Sequence, residues 1–96
     1  MTATSVRAPL DIARLRADTP GCRERVHLNN AGAGLMPAPA LRAARDHLEL
    51  EARIGGYEAA DARADQVAAA YDAVAGLLGV APANIAFMEN ATAAFN

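Results

Sequence analysis

The sequence contains no lysine. All nine basic residues are arginine, they stand against eleven acidic residues, and the net charge is −2. A chain without lysine cannot form a Schiff base through its own side chains, because that reaction needs an amine nucleophile. The arginines are scattered among the acids rather than clustered, which argues against nucleic-acid binding.

Cysteine and long apolar runs are also scarce. Cys22 is the only cysteine, so the chain cannot form an internal disulfide, which excludes a disulfide-stapled secreted mini-protein. No apolar run approaches the roughly 20 residues of a membrane span. The first ten residues lack the charged and then apolar pattern of a signal peptide. These absences predict a cytoplasmic protein with no membrane partner.

Aromatic residues are few, and alanine replaces much of the usual apolar content. Only 4% of the 96 residues are aromatic and none is tryptophan, whereas 26 are alanine. Alanine adds little buried area but strongly favours helix. The sequence therefore predicts one small domain with a thin core and much helix.

Apolar spacing and helix-ending residues predict the helices. We expect them over residues 11–17, 38–54 and about 57–78, with a further helix beginning at Ala91. The pair Gly55 and Gly56 should end the second helix, and Gly79 should end the third, since glycine often follows the last helical residue.

Two short apolar segments, residues 26–28 and 85–88, have the character of strands. The predicted fold class is therefore α/β, in the order helix, short strand, two long helices, strand and the start of a helix. Two such strands cannot form a stable sheet alone, so we expect the chain to be a portion of a larger protein.

The segment around Ala91 and Thr92 is a candidate phosphate site. A helix N-terminus presents free N–H groups and the positive end of the helix dipole, and the Thr92 hydroxyl adds a donor. The alternative is an ordinary N-cap formed by Asn90 or Thr92. No Gly-rich phosphate-binding loop is present.

A second candidate site follows His27. Small residues there allow a ligand to approach the backbone, and Asn30 could orient a carboxylate; a flexible turn is the alternative. Tyr57 could contact a ligand or a partner subunit, or pack as an aromatic residue at a helix start. Cys22, His27 and His47 have no recognised metal-ligand spacing, so we interpret them as surface or packing residues.

Three segments, in this order, resemble the N-terminal part of the class V aminotransferase-like enzymes. They are residues 27–32 (HLNNAG), 51–60 (EARIGGYEAA) and 90–94 (NATAA). The family comprises pyridoxal-phosphate (PLP) enzymes of fold type I, among them cysteine desulfurases, isopenicillin N epimerase-like proteins and hercynylcysteine sulfoxide lyases. The resemblance covers about residues 20–96. It implies PLP as cofactor, an amino-acid substrate and a homodimer.

The resemblance also implies roles for single residues. Ala91 and Thr92 would hold the PLP phosphate, whereas the substrate-binding residues would be Asn30, Ala31, Gly32 and Tyr57. Ala93 stands where desulfurases commonly have an acidic residue, which favours the epimerase-like and lyase-like branches.

The lysine that carries PLP in this family, and the aspartate that pairs with the cofactor ring, would both lie beyond Asn96. The 96 residues are therefore expected to be inactive alone. Residues 1–20 would form an N-terminal extension with a short helix, and residues 21–96 would form the first part of the large domain.

A reading from another functional class stays open. Helices 38–54 and 57–78 could pack antiparallel as a helical hairpin that binds a partner without catalysis. This alternative explains the apolar stripes on both helices but not the pattern after residue 84.

Overall fold

The computed structural model describes residues 8–96, and within that range every regular element is helical. Five α-helices follow one another: α1 (Ile12–Ala17), α2 (Ala38–Ile54), α3 (Gly56–Ala62), α4 (Ala64–Leu78) and α5 (Ala91–Phe95). Two short 3-10 helices, Pro20–Arg23 and Pro82–Asn84, lie between them. The first seven residues of the predicted N-terminal extension lie outside the described residues.

The predicted α/β class is wrong. No strand occurs between residues 8 and 96, so the fold is small and all-helical. Ile85 does adopt an extended backbone, with φ −105° and ψ 132°, where residues 85–88 had suggested a strand. An extended segment becomes a strand only when a neighbouring segment pairs with its N–H and C=O groups. Neither residues 26–28 nor residues 85–88 have such a partner within the part described.

The bounds predicted for α2 are confirmed, and so is the glycine that ends it. The helix runs over Ala38–Ile54, and Gly55 follows with φ 98° and ψ 157°. This backbone conformation is accessible almost only to glycine. The helix start predicted at Ala91 and the helix end predicted at Gly79 (φ 71°, ψ 34°) are confirmed as well.

The single long helix predicted over 57–78 is wrong, because the chain divides it at Arg63 into α3 and α4. Arg63 has φ −108° and ψ 10°, outside the α-helical range. Its N–H donates to the carbonyl oxygens of both Ala59 and Ala60, at 3.0 and 3.3 Å. No glycine or proline marks this break, so the sequence carried no signal for it.

The chain forms two compact units, Met1–Glu49 and Leu50–Asn96, the first described from residue 8. In the first unit, the Ala38 N–H donates to the Asp18 carbonyl oxygen at 2.6 Å, which joins the end of α1 to the start of α2. In the second unit, α4 packs against α3 and against the 3-10 helix Pro82–Asn84. The domain boundary expected near residue 20 stays a prediction.

The core is as thin as the composition predicts. Among the described residues only Ala59 and Ala75 are buried apolar side chains. The Tyr71 and Phe87 rings meet edge to face, with centroids 4.8 Å apart and planes at 89°. No helix in the described range is long and apolar enough to cross a membrane.

Replacing Gly55 with alanine should destabilise the chain by about 1–3 kcal/mol, the cost of forcing a side chain into this backbone region. An added Cβ would also lie 2.5 Å from Glu58 Oε2. Gly56→Ala is the matched control, since nothing lies within 4 Å of its added Cβ, and we expect it to be neutral or slightly stabilising. Urea unfolding followed by far-UV circular dichroism measures both, and equal effects would contradict the assigned conformation at Gly55.

The Tyr71–Phe87 contact should appear as a coupling free energy of about 0.5–1.5 kcal/mol in a double-mutant cycle of Tyr71→Ala and Phe87→Ala. The control cycle pairs Tyr71→Ala with Phe95→Ala, because Phe95 is 95% exposed and should show no coupling. Additive effects of the first pair would mean that the two rings do not meet in solution.

Candidate functional site

A histidine closes the loop that follows the first 3-10 helix. His27 Nε2 lies 2.6 Å from the carbonyl oxygen of Ala33. Because a carbonyl only accepts, the ring nitrogen must be the donor. His27 was expected to be a surface or packing residue; it is half-buried, and its ring joins positions six residues apart.

Asn29 shapes the turn inside this loop. Its side-chain Oδ1 accepts from the Gly32 N–H at 3.3 Å, and its carbonyl oxygen accepts from the Ala33 N–H at 3.3 Å. A Cβ on Gly32 would lie 3.0 Å from Asn29 Nδ2, so a small residue is favoured there. The loop forms a turn with Asn30, Ala31 and Gly32 exposed at its tip, and the interpretation of these residues as a ligand site stays a prediction. An Asn followed three residues later by Gly was the signal for this turn.

The loop borders a cavity of about 490 Å³ in the first unit. Its polar lining comes from α1, the first 3-10 helix and the loop, and consists of Arg16, Thr19, Cys22, Arg25, His27 and Asn30. Three apolar side chains, Val26, Leu28 and Leu35, line the rest. Of the residues predicted to bind substrate, only Asn30 lines this cavity.

Short-range hydrogen bonds position the cavity wall between α1 and the loop. The Thr19 hydroxyl donates to the Leu15 carbonyl oxygen at 2.8 Å, and the Arg25 N–H donates to the Gly21 carbonyl oxygen at 3.2 Å. Leu35 lies so close to Gly21 that an added Cβ would be 2.9 Å from its Cδ2. Sequence analysis missed Arg16 and Arg25 because it treated the arginines as scattered. The Thr19-Pro20-Gly21 turn was the available signal that both could border one site.

The predicted phosphate site lies at the start of α5, in the second unit. Asn90 has the extended backbone of an N-cap, and its Oδ1 accepts from the Ala93 N–H at 2.7 Å. The ordinary N-cap interpretation is thus confirmed for Asn90. Ala91 and Thr92 occupy the first turn, where N–H groups have no partner within the helix, and both residues are exposed.

Tyr57 lies in the first turn of α3 and is 89% exposed, so the alternative that it packs as an aromatic residue at the helix start is wrong. Across residues 8–96, no hydrogen bond or ring contact joins Tyr57 to Ala91 or Thr92. The predicted site residues thus lie on three elements: the loop tip in the first unit, and the starts of α3 and α5 in the second. In the same range, no group of His, Cys, Asp or Glu side chains is arranged to hold a metal ion.

Comparison with known proteins gives no match: no family model, curated protein or solved structure is similar to the chain. The resemblance to class V aminotransferase-like enzymes therefore stays a prediction that rests on the sequence motifs.

Removing the Asn90 cap should unravel α5. We expect Asn90→Ala to cost about 1 kcal/mol locally, because the Ala93 N–H loses its acceptor. The carbon-13 chemical shifts and amide hydrogen exchange of residues 91–95 measure the helix population. Asn90→Asp keeps an acceptor and should retain α5, and Asn84→Ala removes an exposed amide elsewhere. An unchanged α5 in Asn90→Ala would show that this hydrogen bond is not formed.

Proposed function

We propose that this chain is a portion of a PLP-dependent enzyme of the class V aminotransferase type, acting on an amino-acid substrate by transamination, epimerisation or C–S lyase chemistry. A cytoplasmic location and a homodimeric intact enzyme are part of the proposal. The observation that carries it is the exposed first turn of α5, in which Ala91 and Thr92 directly follow a capping asparagine.

The donors at this turn are compatible with a phosphate group. Asn90 accepts from the N–H of Ala93 through its side chain and from the N–H of Ala94 through its carbonyl oxygen, which leaves the N–H groups of Ala91 and Thr92 for an anion. The Thr92 hydroxyl can donate as well. These groups would bind the cofactor's phosphate and fix its position; the ring would need other residues.

The loop after His27 supports a role next to the substrate. His27 and Asn29 hold the turn closed by the two hydrogen bonds described above. A closed turn keeps the Asn30 amide at a cavity, where its N–H₂ group can donate to a carboxylate. The exposed Tyr57 ring is available to a substrate or to a second subunit.

PLP, when bound, supplies an electron sink that stabilises negative charge at the α-carbon of an amino acid. This chain has no lysine to hold the cofactor covalently. We therefore expect the 96 residues alone neither to turn over substrate nor to bind PLP tightly, and the lysine would come from residues outside them.

The test is the intact mass of the native gene product, measured with its absorbance in the PLP region. We expect a mass several-fold larger than 9.9 kDa and an absorbance band that borohydride fixes to the protein. A product near 9.9 kDa without a chromophore would overturn the proposal.

Within that native product, Thr92→Ala should weaken PLP binding about tenfold or more, since it removes a hydrogen bond to a charged group. Thr92→Ser keeps the hydroxyl and should bind PLP nearly as well as the unmodified protein. The PLP dissociation constants of the unmodified protein and of both variants are measured by absorbance titration. Equal affinities in all three proteins would remove Thr92 from the phosphate site.

A helical interaction module is the second candidate, because α4 leaves Val67, Leu77 and Leu78 exposed. Apolar side chains on an exposed helix face favour contact with a partner helix. A cooperative thermal transition of the isolated chain without ligand would favour this candidate over the enzyme portion.

A further inference from the structure

We propose that the cavity of the first unit binds a small organic anion, whose carboxylate or phosphate group contacts Arg16 and Arg25 and whose apolar part lies against Val26, Leu28 and Leu35. The cavity measures about 490 Å³, within the roughly 300–1,000 Å³ of small-molecule sites. A small organic acid therefore fits within this volume.

The charge of the lining selects an anion. Among the described residues, the cavity wall carries two guanidinium groups and no carboxylate. The carboxylate of Asp18, between α1 and the 3-10 helix, is instead paired with Arg14, at 3.9 Å. Residues 1–7, which lie outside the described part, contain no Asp or Glu. An entering oxyanion would therefore meet two guanidinium groups and no carboxylate in the lining.

The donors are of the type that recognises oxyanions. Guanidinium groups match carboxylate and phosphate oxygens with paired N–H donors. The Asn30 amide lines the same cavity and can add a neutral donor, whereas the Thr19 hydroxyl already donates its proton to the Leu15 carbonyl oxygen. His27 serves as a positioning residue, since its hydrogen bond to Ala33 holds the loop that carries Asn30.

The apolar part of the lining adds selectivity by size. Val26 and Leu28 are each 87% exposed, so their side chains have surface left to cover. A branched aliphatic acid would bury more of this surface than acetate does. It should bind severalfold more tightly, because its additional methyl and methylene groups are partly removed from water when they contact these side chains.

This proposal shares Asn30 with the PLP proposal but does not rest on it, because Arg16 and Arg25 have no role in the PLP proposal. The cavity is lined entirely by residues between 16 and 35, whereas Ala91 and Thr92 belong to the other unit. Probes without a pyridoxal ring therefore test it separately, and either proposal can fail alone.

The experiment titrates the nitrogen-15-labelled 96-residue chain with sodium acetate, 3-methylbutanoate and inorganic phosphate at constant ionic strength, and follows amide chemical shifts. We expect saturable shifts confined to residues 16–35, and tighter binding of 3-methylbutanoate than of acetate. Saturation by the carboxylates alone would identify a carboxylate site, and saturation by phosphate as well would identify a general oxyanion site. An absence of saturable shifts in the millimolar range, or shifts spread along the whole chain, would overturn the proposal.

Variants assign the effect to the two arginines. Arg16→Gln and Arg25→Gln should each weaken binding about tenfold, and Arg25→Lys should restore part of it because the charge remains. Arg23→Gln is the matched control, since Arg23 lies two residues before Arg25 but does not line the cavity, and it should bind like the unmodified chain. If Arg16→Gln disturbs α1, the Arg25→Gln variant still tests the proposal, because Arg25 lies outside any helix. Equal affinities in Arg25→Gln and Arg23→Gln would overturn the assignment.

Discussion

Local hydrogen bonds shape the helix ends and turns of this chain, and few of its described side chains are buried. Among the described residues, the only apolar side chains that are buried are the methyl groups of Ala59 and Ala75. Apolar burial contributes about 25 cal/mol per Å², so two alanines add very little. The helices are therefore stabilised mainly by the helix propensity of alanine and by hydrogen bonds that cap their ends. Asp11 Oδ1 accepts from the Arg14 N–H at 3.0 Å in α1, and Asn90 Oδ1 accepts from the Ala93 N–H at 2.7 Å in α5.

The same constraint explains which parts of the fold could be predicted from the sequence. Helix ends are set by single residues with local effects, so Gly55, Gly79 and Asn90 could be recognised without knowledge of the rest. Strands depend on partners far along the chain, and residues 85–88 had the composition of a strand but no partner. The break at Arg63 has no sequence signal, because its distorted hydrogen bonds involve ordinary alanines.

The candidate sites divide in a similar way. The loop tip at Asn30 and the first turn of α5 are contiguous in sequence, so their local shape could be anticipated. The cavity could not be anticipated from the sequence. Arg16 and Arg25 line the same cavity only because of the turn between them. From the number and scatter of the charged residues alone, those two arginines are expected to be solvated surface residues. Only the arrangement of the backbone shows that they face the same space as Asn30.

The hydrogen bond from the Ala38 N–H to the Asp18 carbonyl has a kinetic consequence. It closes the segment that holds most of the cavity lining, and every lining residue lies between positions 16 and 35. A loop of about ten residues closes in roughly 10–100 ns. The ribosome adds about 5–20 residues per second, so it takes far longer to add a single residue. No residue of α3, α4 or α5 lines the cavity, so its lining is complete in sequence before these helices are synthesised.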